Sequence, residues 1–492
     1  MQLKVKTSQW SAGLPVAMLN KKTAEKLGVH PGDRVTIHTL SSNPKKMATI
    51  LDTVEHLVND GYIAVSEEIK KRLSLREGQK VEVVFSATPE SVKYIKEKIM
   101  GKKLSHEKIK TIIKDVVDNT LSEPEVAVFV SGMYRNGMDF NETIGLVDAI
   151  LYSGKTMKFK NKFVVDKHCI GGIAGNRTTP IVVAICAAVG LTFPKTSSKA
   201  ITSAAGTADC IEVLSPIEFS MDQLTKIVKK TGACLSWGGS LGMVPADSKI
   251  IKVEKMLKLD PEAQLLASIM SKKLAAGSNQ ILIDIPYGKG AKVSKSKAVN
   301  LKKKFEKLGK HFKVNLKVVL TKAEEPIGNG VGPVLEIIDV LKVLDSKKEG
   351  PKDLEKKSIY LAGIIFEMTK KTKKGKGNLL ANEILKSGKA FDKFKEIIKA
   401  QKGKVYYPKI SKICHTISSL KKGKIKSIDN KNINLLARTA GCPLDKFAGV
   451  YLYKHVGDKV KKGEELITIY AESKPRLKEA LKYYHKNQPI KI

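Results

Sequence analysis

The residues best suited to chemistry lie on two loops rich in glycine and hydroxyls. The first follows the apolar run Phe163-Val164-Val165-Asp166 and reads Lys167-His168-Cys169-Ile170-Gly171-Gly172-Ile173-Ala174-Gly175-Asn176-Arg177-Thr178-Thr179, before a helix opened by Pro180. A strand, a glycine loop and a helix N-terminus in that order form an anion site. Glycines let backbone N–H groups approach an oxyanion, and the helix dipole adds partial positive charge. Lys167, Arg177 and Thr178 offer side-chain donors. A tight strand-to-helix turn would use the same glycines, so this loop alone leaves both readings open. The second loop runs from Leu191-Thr192-Phe193-Pro194 into Lys195-Thr196-Ser197-Ser198-Lys199-Ala200-Ile201-Thr202-Ser203-Ala204-Ala205-Gly206-Thr207-Ala208-Asp209. Small hydroxyl residues beside lysine solvate phosphate or ribose oxygens without bulk, and a plain surface loop would not need an apolar strand directly before it.

These loops need a scaffold, and residues 161–404 read as a central α/β domain in which strands lead into glycine-rich turns and helices. Residues 1–86 alternate in short apolar runs, such as Val35-Thr36-Ile37-His38 and Val81-Glu82-Val83-Val84-Phe85, around the turn Pro31-Gly32-Asp33. That pattern predicts a small N-terminal β domain. Thr88-Pro89-Glu90 opens a helical domain over 87–160, with Val92, Ile95, Ile99 and then Ile109, Ile112, Ile113, Val116, Val117 on single faces. Part of 210–240 is expected to join it. Residues 350–402 return to helices around an exposed, mobile, lysine-rich loop at 370–377, and 405–492 are β-rich. There Gly449 to Glu464 resembles the hairpin repeat of lipoyl- or biotinyl-type barrel-sandwich domains, without a carrier-lysine motif at its turn.

Composition narrows the class. The 492 residues imply about three or four folding units at roughly 100–200 residues each. Hydrophobic residues at 42% and charged residues at 28% are ordinary globular usage. No apolar run reaches the roughly 18–20 residues of a membrane span, and Met1-Gln2-Leu3-Lys4-Val5-Lys6 lacks a signal-peptide core, so a cytoplasmic protein without membrane partners is expected. Six scattered cysteines without a CxxC pair suggest a reducing compartment and no metal site. The net charge of +39 would attract any polyanion, yet only seven of the 88 basic residues are arginine, the favoured reader of bases. Dispersed lysine is read as solvation that favours anionic small substrates, and no specific nucleic-acid partner is expected.

Five ordered motifs together resemble the thymidine phosphorylase family: 166–179, 195–209, Trp237-Gly238-Gly239-Ser240 through Pro245-Ala246-Asp247, Leu266-Ala267-Ser268-Ile269-Met270-Ser271-Lys272-Lys273, and Pro326-Ile327-Gly328-Asn329-Gly330-Val331-Gly332. The match covers most of residues 90–490. Ser197 to Ser203 and the additional N-terminal domain look like the archaeal branch of that family that acts on AMP. The resemblance implies a multidomain α/β fold of nucleoside phosphorylase type. It also implies phosphorolysis of AMP, with CMP and UMP as further substrates, to free base and ribose 1,5-bisphosphate. Inorganic phosphate is then a co-substrate, and no cofactor or metal is required. By motif position, Gly172, Ser198, Lys199, Ala200, Ile201, Thr202, Ser203, Thr207, Ser268 and Lys292 would contact the nucleotide. Lys167, Thr178, Ser197 and Thr207 would hold the attacking phosphate, and Lys272 is a secondary candidate.

The resemblance also places Asp260 at the family's proton-donor position, although Lys258-Leu259-Asp260-Pro261-Glu262 by itself favours a helix start capped by aspartate. His168, kept cationic by a neighbouring anion, is the competing donor. Two residues depart from the pattern: Cys169 replaces a serine, and no arginine stands near Lys252 to Glu254, where thymidine phosphorylases contact the pyrimidine. A pyrimidine nucleoside phosphorylase and an anthranilate-type phosphoribosyltransferase are the enzyme alternatives, the latter needing magnesium and positioned carboxylates. A charge-driven nucleic-acid binder ranks last. The family pairs through its helical domain, so a homodimer or larger homo-oligomer is expected, with Phe129, Val130 and Met133 on the apolar faces.

Overall fold

The alternating pattern at the N-terminus closes on itself. In the computed structural model, which describes residues 1–7, 15–200 and 203–492, six strands form a closed barrel in the order Gln2–Thr7, Tyr62–Val65, Val16–Asn20, Lys46–Val54, Arg34–Thr39, Lys80–Phe85. Inward residues such as Leu3, Val5, Leu19, Val35, Ile37 and Val83 fill it, and closure leaves no strand edge exposed. The helical periodicity follows as Glu90–Ile99, His106–Asp118, Glu123–Asn136 and Phe140–Leu151. Pro89, not Thr88, holds the first N-cap. Asp139 and Glu142 form a reciprocal capping box at the fourth helix.

The chain divides into two units, 1–154 with 244–271, and 155–243 with 272–492. The segment that returns to the first unit is therefore 244–271 and not part of 210–240. Within it the helix Pro245–Leu257 carries Lys249, whose Nζ donates to the carbonyls of Val116 and Val117 at 2.8 Å each. These are carbonyls in the last turn of the helix His106–Asp118, where the regular i to i+4 donors run out. Residues 210–240 stay in the second unit because Ala233–Trp237 is one of its buried strands.

In the second unit, Asn315–Lys322, Gln280–Tyr287 and Val165–Cys169 form a parallel sheet. Phe193–Ser197 pairs in parallel with Ala233–Trp237. The two sheets meet at a Val164–Thr192 bridge. Thr192 faces Val165, accepting its N–H at 2.8 Å, whereas Phe193 donates to Gly232 on the other side. Pro194 must then face the Val165 strand again, and having no N–H it cannot extend that ladder. The strand nonetheless continues through Lys195, Thr196 and Ser197, so the second loop begins only at Ser198.

The helix Thr178–Ala188 is apolar on all sides, and residues 178–187 are buried, as expected of a helix inside a core. Pro333–Leu344, Lys352–Met368, Gly377–Lys386 and Lys389–Ala400 contribute to the same apolar cluster. Towards the C-terminus, Gly330–Val331, Gly449–Leu452, Glu465–Tyr470 and Cys414–Ser418 form an antiparallel sheet. The helices Asn430–Ala440 and Lys474–Asn487 share a core with it.

Candidate active site

Lys167 leaves its strand fully buried, and its Nζ donates to Thr178 Oγ1 at 2.7 Å. Thr178 opens the helix that follows the glycine loop, so an ammonium, a hydroxyl and a helix N-terminus converge at one point. Burial lowers the pKa of Lys167, which Cys169 and Asp284 partly offset. Ser197, at the end of the neighbouring strand, has a buried Oγ with no partner among the described residues, the kind of hydroxyl that a polar ligand satisfies. Cys169 carries a thiol whose pKa burial raises, and its Sγ accepts from Asn176 Nδ2 at 3.3 Å.

Beneath this point sits a charge cluster that no sequence spacing announces. Asp166, fully buried, accepts from Lys195 Nζ at 3.0 Å and from Lys273 Nζ at 2.9 Å. Lys195 also donates to the Lys167 carbonyl at 2.6 Å. One carboxylate thus fixes two strands and the end of the helix Glu262–Ala275. Burial pushes the Lys273 ammonium down to about 7.

Arg177 is largely committed within the protein. Its guanidinium donates twice to Glu336 Oε2, at 2.8 and 2.6 Å, and reaches Thr207 Oγ1 and the Ala205 carbonyl at 2.9 Å each. It therefore ties the first loop to the second. Asp209 closes the second loop by accepting from Ala200 N at 2.6 Å and Gly206 N at 2.7 Å. The Lys199 ammonium is paired with Glu212 at 3.3 Å and lies over Trp237. Ser198 is exposed, and Ser203 Oγ donates to the Ala205 carbonyl at 3.0 Å. Ile201 and Thr202 lie outside the described residues.

Gly172 has φ +93°, and a Cβ there would lie 2.7 Å from both N and Cβ of Lys292. Only glycine permits that approach, which brings the exposed Lys292 against the first loop. Ser268 and Asp260 belong to the first unit and Lys272 to the second. Ser268 is buried and Asp260 is exposed. Leu265 N donates to the Pro261 carbonyl, so Pro261 occupies the N-cap position and Asp260 precedes it, which weakens the capping alternative. Lys252 is paired with Glu123 at 2.6 Å.

Burial, together with Lys273, Lys195, Lys272 and Lys167, pushes the pKa of His168 well below the usual range, so an anion at this loop would have to offset that shift for the imidazole to act as a cationic donor. The unfolded chain then binds this proton more tightly, so His168 subtracts stability as pH falls below about 6.5. His168→Gln is expected to soften the decline of melting temperature below that pH. A decline as steep as the parent's would show that the imidazole is not held neutral.

The chain matches three family descriptions in order: a glycosyl transferase family helical bundle domain over 92–154, a glycosyl transferase family a/b domain over 161–391, and a pyrimidine nucleoside phosphorylase C-terminal domain over 424–491. The AMP phosphorylase of Pyrococcus furiosus is 43% identical, the alignment covering 100% of this chain and 98% of that protein. Those of Thermococcus kodakarensis and Natronomonas pharaonis are 42% and 40% identical at the same coverage. In fold, the chain is similar to anthranilate phosphoribosyltransferase from Thermus thermophilus, with a TM-score of 0.53 and 17% identity, over 63% of this chain and 99% of that one. End-to-end identity of this order, with the loops in the same succession of domains, means that the chain belongs to the thymidine phosphorylase family, in its AMP phosphorylase branch.

Proposed function

We infer that the chain catalyses phosphorolysis of AMP, and of CMP and UMP, releasing the base and forming ribose 1,5-bisphosphate. The observation that carries this reading is the alignment over 100% of the chain, N-terminal barrel included, with proteins named AMP phosphorylase. The contact of Lys167 with Thr178 at a helix N-terminus, and the unpaired buried hydroxyl of Ser197, support a phosphate pocket. A phosphate oxygen bonds to the anomeric carbon while the bond from that carbon to the base nitrogen breaks. The electron pair passes to the base, which takes a proton from Asp260. Gly172, Ser198 to Ser203, Thr207, Ser268 and Lys292 are assigned to the nucleotide, with Lys272 secondary. No cofactor enters this scheme. The C-terminal hairpin is read as a structural barrel-sandwich, and the cytoplasm as the setting, supported by six free cysteines.

Incubation with AMP, adenosine and thymidine, with and without phosphate, while following base release, tests this. Release from AMP only when phosphate is present is expected. Lys292→Ala removes a charge-assisted contact worth about 1.5 to 3 kcal/mol, a tenfold to hundredfold loss in kcat/KM on AMP. Equal parental rates on AMP and adenosine would point instead to a nucleoside phosphorylase.

Self-association is part of the same reading. Phe129, Val130 and Met133 are buried within the first unit and cannot mediate it, whereas Met100, Val128, Tyr134 and Tyr152 are exposed apolar side chains of the helical segment. A monomer by light scattering would overturn it.

A further inference from the structure

The helix Asn430–Ala440 presents three polar side chains four residues apart, and all three meet the backbone of the site loops. Asn430 Oδ1 accepts from Ala174 N at 3.3 Å, in the first loop. Asn434 Oδ1 accepts from Ala204 N at 3.1 Å, and Arg438 Nη1 donates to the Ser203 carbonyl at 3.1 Å, both in the second. Positions i, i+4 and i+8 lie along one helix face. Asn434 is itself held by its Nδ2, which donates to the Asn430 carbonyl at 3.2 Å. Ala174 and Ala204 pack into the same apolar cluster as Ile433, Leu436 and Ala437, so polar and apolar contacts agree on one docking. The helix start is secured by Asp429, which accepts from Asn432 N at 2.9 Å.

The second loop is also held by Arg177 and Asp209. Residues 203–207 are therefore gripped twice. Three of the four parts of this grip are single side chains far apart in sequence, and the loop has little regular structure of its own to keep its shape.

We propose that this C-terminal helix is a positioning element for substrate binding: Asn430, Asn434 and Arg438 set the spacing of the two loops without touching the ligand. The inference rests on the reading that these loops bind phosphate and nucleotide. Removing the acceptor at Asn434 leaves the Ala204 N–H without its partner, and the loop relaxes towards another arrangement. Loops that bind ground and transition states alike lose affinity in KM and keep kcat.

The test uses the full chain with phosphate-dependent release of adenine from AMP. Asn434→Leu and Arg438→Met are expected to raise KM for AMP about tenfold with kcat within about threefold, since each removes one hydrogen bond that orders the loop. Asn434→Gln, which keeps both the amide acceptor and the amide donor, and Arg438→Lys, which keeps a donor, should recover most of that loss. Parental KM in both Asn434→Leu and Arg438→Met would overturn the proposal, as would losses that follow melting temperature alone and do not recover in the conservative variants. Should Asn434→Leu fail to fold, Arg438→Met carries the test from a half-buried site. A parent chain inactive on AMP would sink the functional reading instead. Hydrogen exchange then still decides the positioning: faster exchange in Arg438→Met confined to 203–207 supports it, and unchanged exchange there overturns it.

Discussion

Asp260→Asn is expected to lower turnover on AMP by about 10² or more while melting temperature stays unchanged, the loss that removal of a general acid brings. The amide keeps the size and an acceptor oxygen of the carboxyl but cannot deliver a proton to the departing base. Stability should not move, because Asp260 is exposed and precedes Pro261, which holds the cap position of the helix Glu262–Ala275. Even in a capping role, Asn serves nearly as well as Asp. Steady-state rates on AMP at saturating phosphate, with melting curves of both proteins, separate the roles. Near-parental turnover would refute the acid assignment. The role would then pass to His168, the competing donor, which a bound phosphate would have to hold cationic against burial and the neighbouring lysines.

Asp166→Asn should have the largest effect on stability. Lys195 and Lys273 are both buried and both rely on this carboxylate, at 3.0 and 2.9 Å. Removing one partner of a buried ion pair costs about 3 to 5 kcal/mol, because the charge left behind has neither water nor a counter-ion. The sign with pH follows from the lysines. Burial already lowers the folded pKa of Lys273 to about 7, and Asp166 is the group that raises it. Without that carboxylate the folded form holds the proton still more weakly than the unfolded chain, so stability rises with pH and the deficit grows as pH falls. Denaturant midpoints at about pH 6 and pH 9 should therefore show the larger loss at the lower pH. Adding Lys273→Met should return part of it, since the second change removes the uncompensated charge. A deficit below about 1 kcal/mol at both pH values would contradict the buried-pair account.

Much of this protein is legible in the sequence where the signal is local. Alternation in 1–86 predicts strands, the 3.6-residue period from Val92 predicts helices, and an apolar strand, a glycine loop and Pro180 predict a strand-to-helix turn. Each depends on neighbours in the chain, and φ +93° at Gly172 answers a demand that glycine alone meets. The order of five motifs identifies the family for the same reason: each motif is a short contiguous run.

What only the tertiary structure decided is which charges pair. Arg177 reads as an anion donor until Glu336, 159 residues away, is found to take it. Lys195 and Lys273 read as loop or surface lysines until both meet Asp166. The return of 244–271 to the first unit has no local signature, because helix Pro245–Leu257 is amphipathic whichever partner it packs on. Asn430, Asn434 and Arg438 fall in a stretch read as β-rich, yet they lie on one face of the helix Asn430–Ala440, and that face meets both loops. Periodicity tells which side of an element is polar. Whether that side meets water or a distant backbone depends on contacts between residues more than a hundred positions apart, and a buried charge is tolerated only where such a contact supplies its partner.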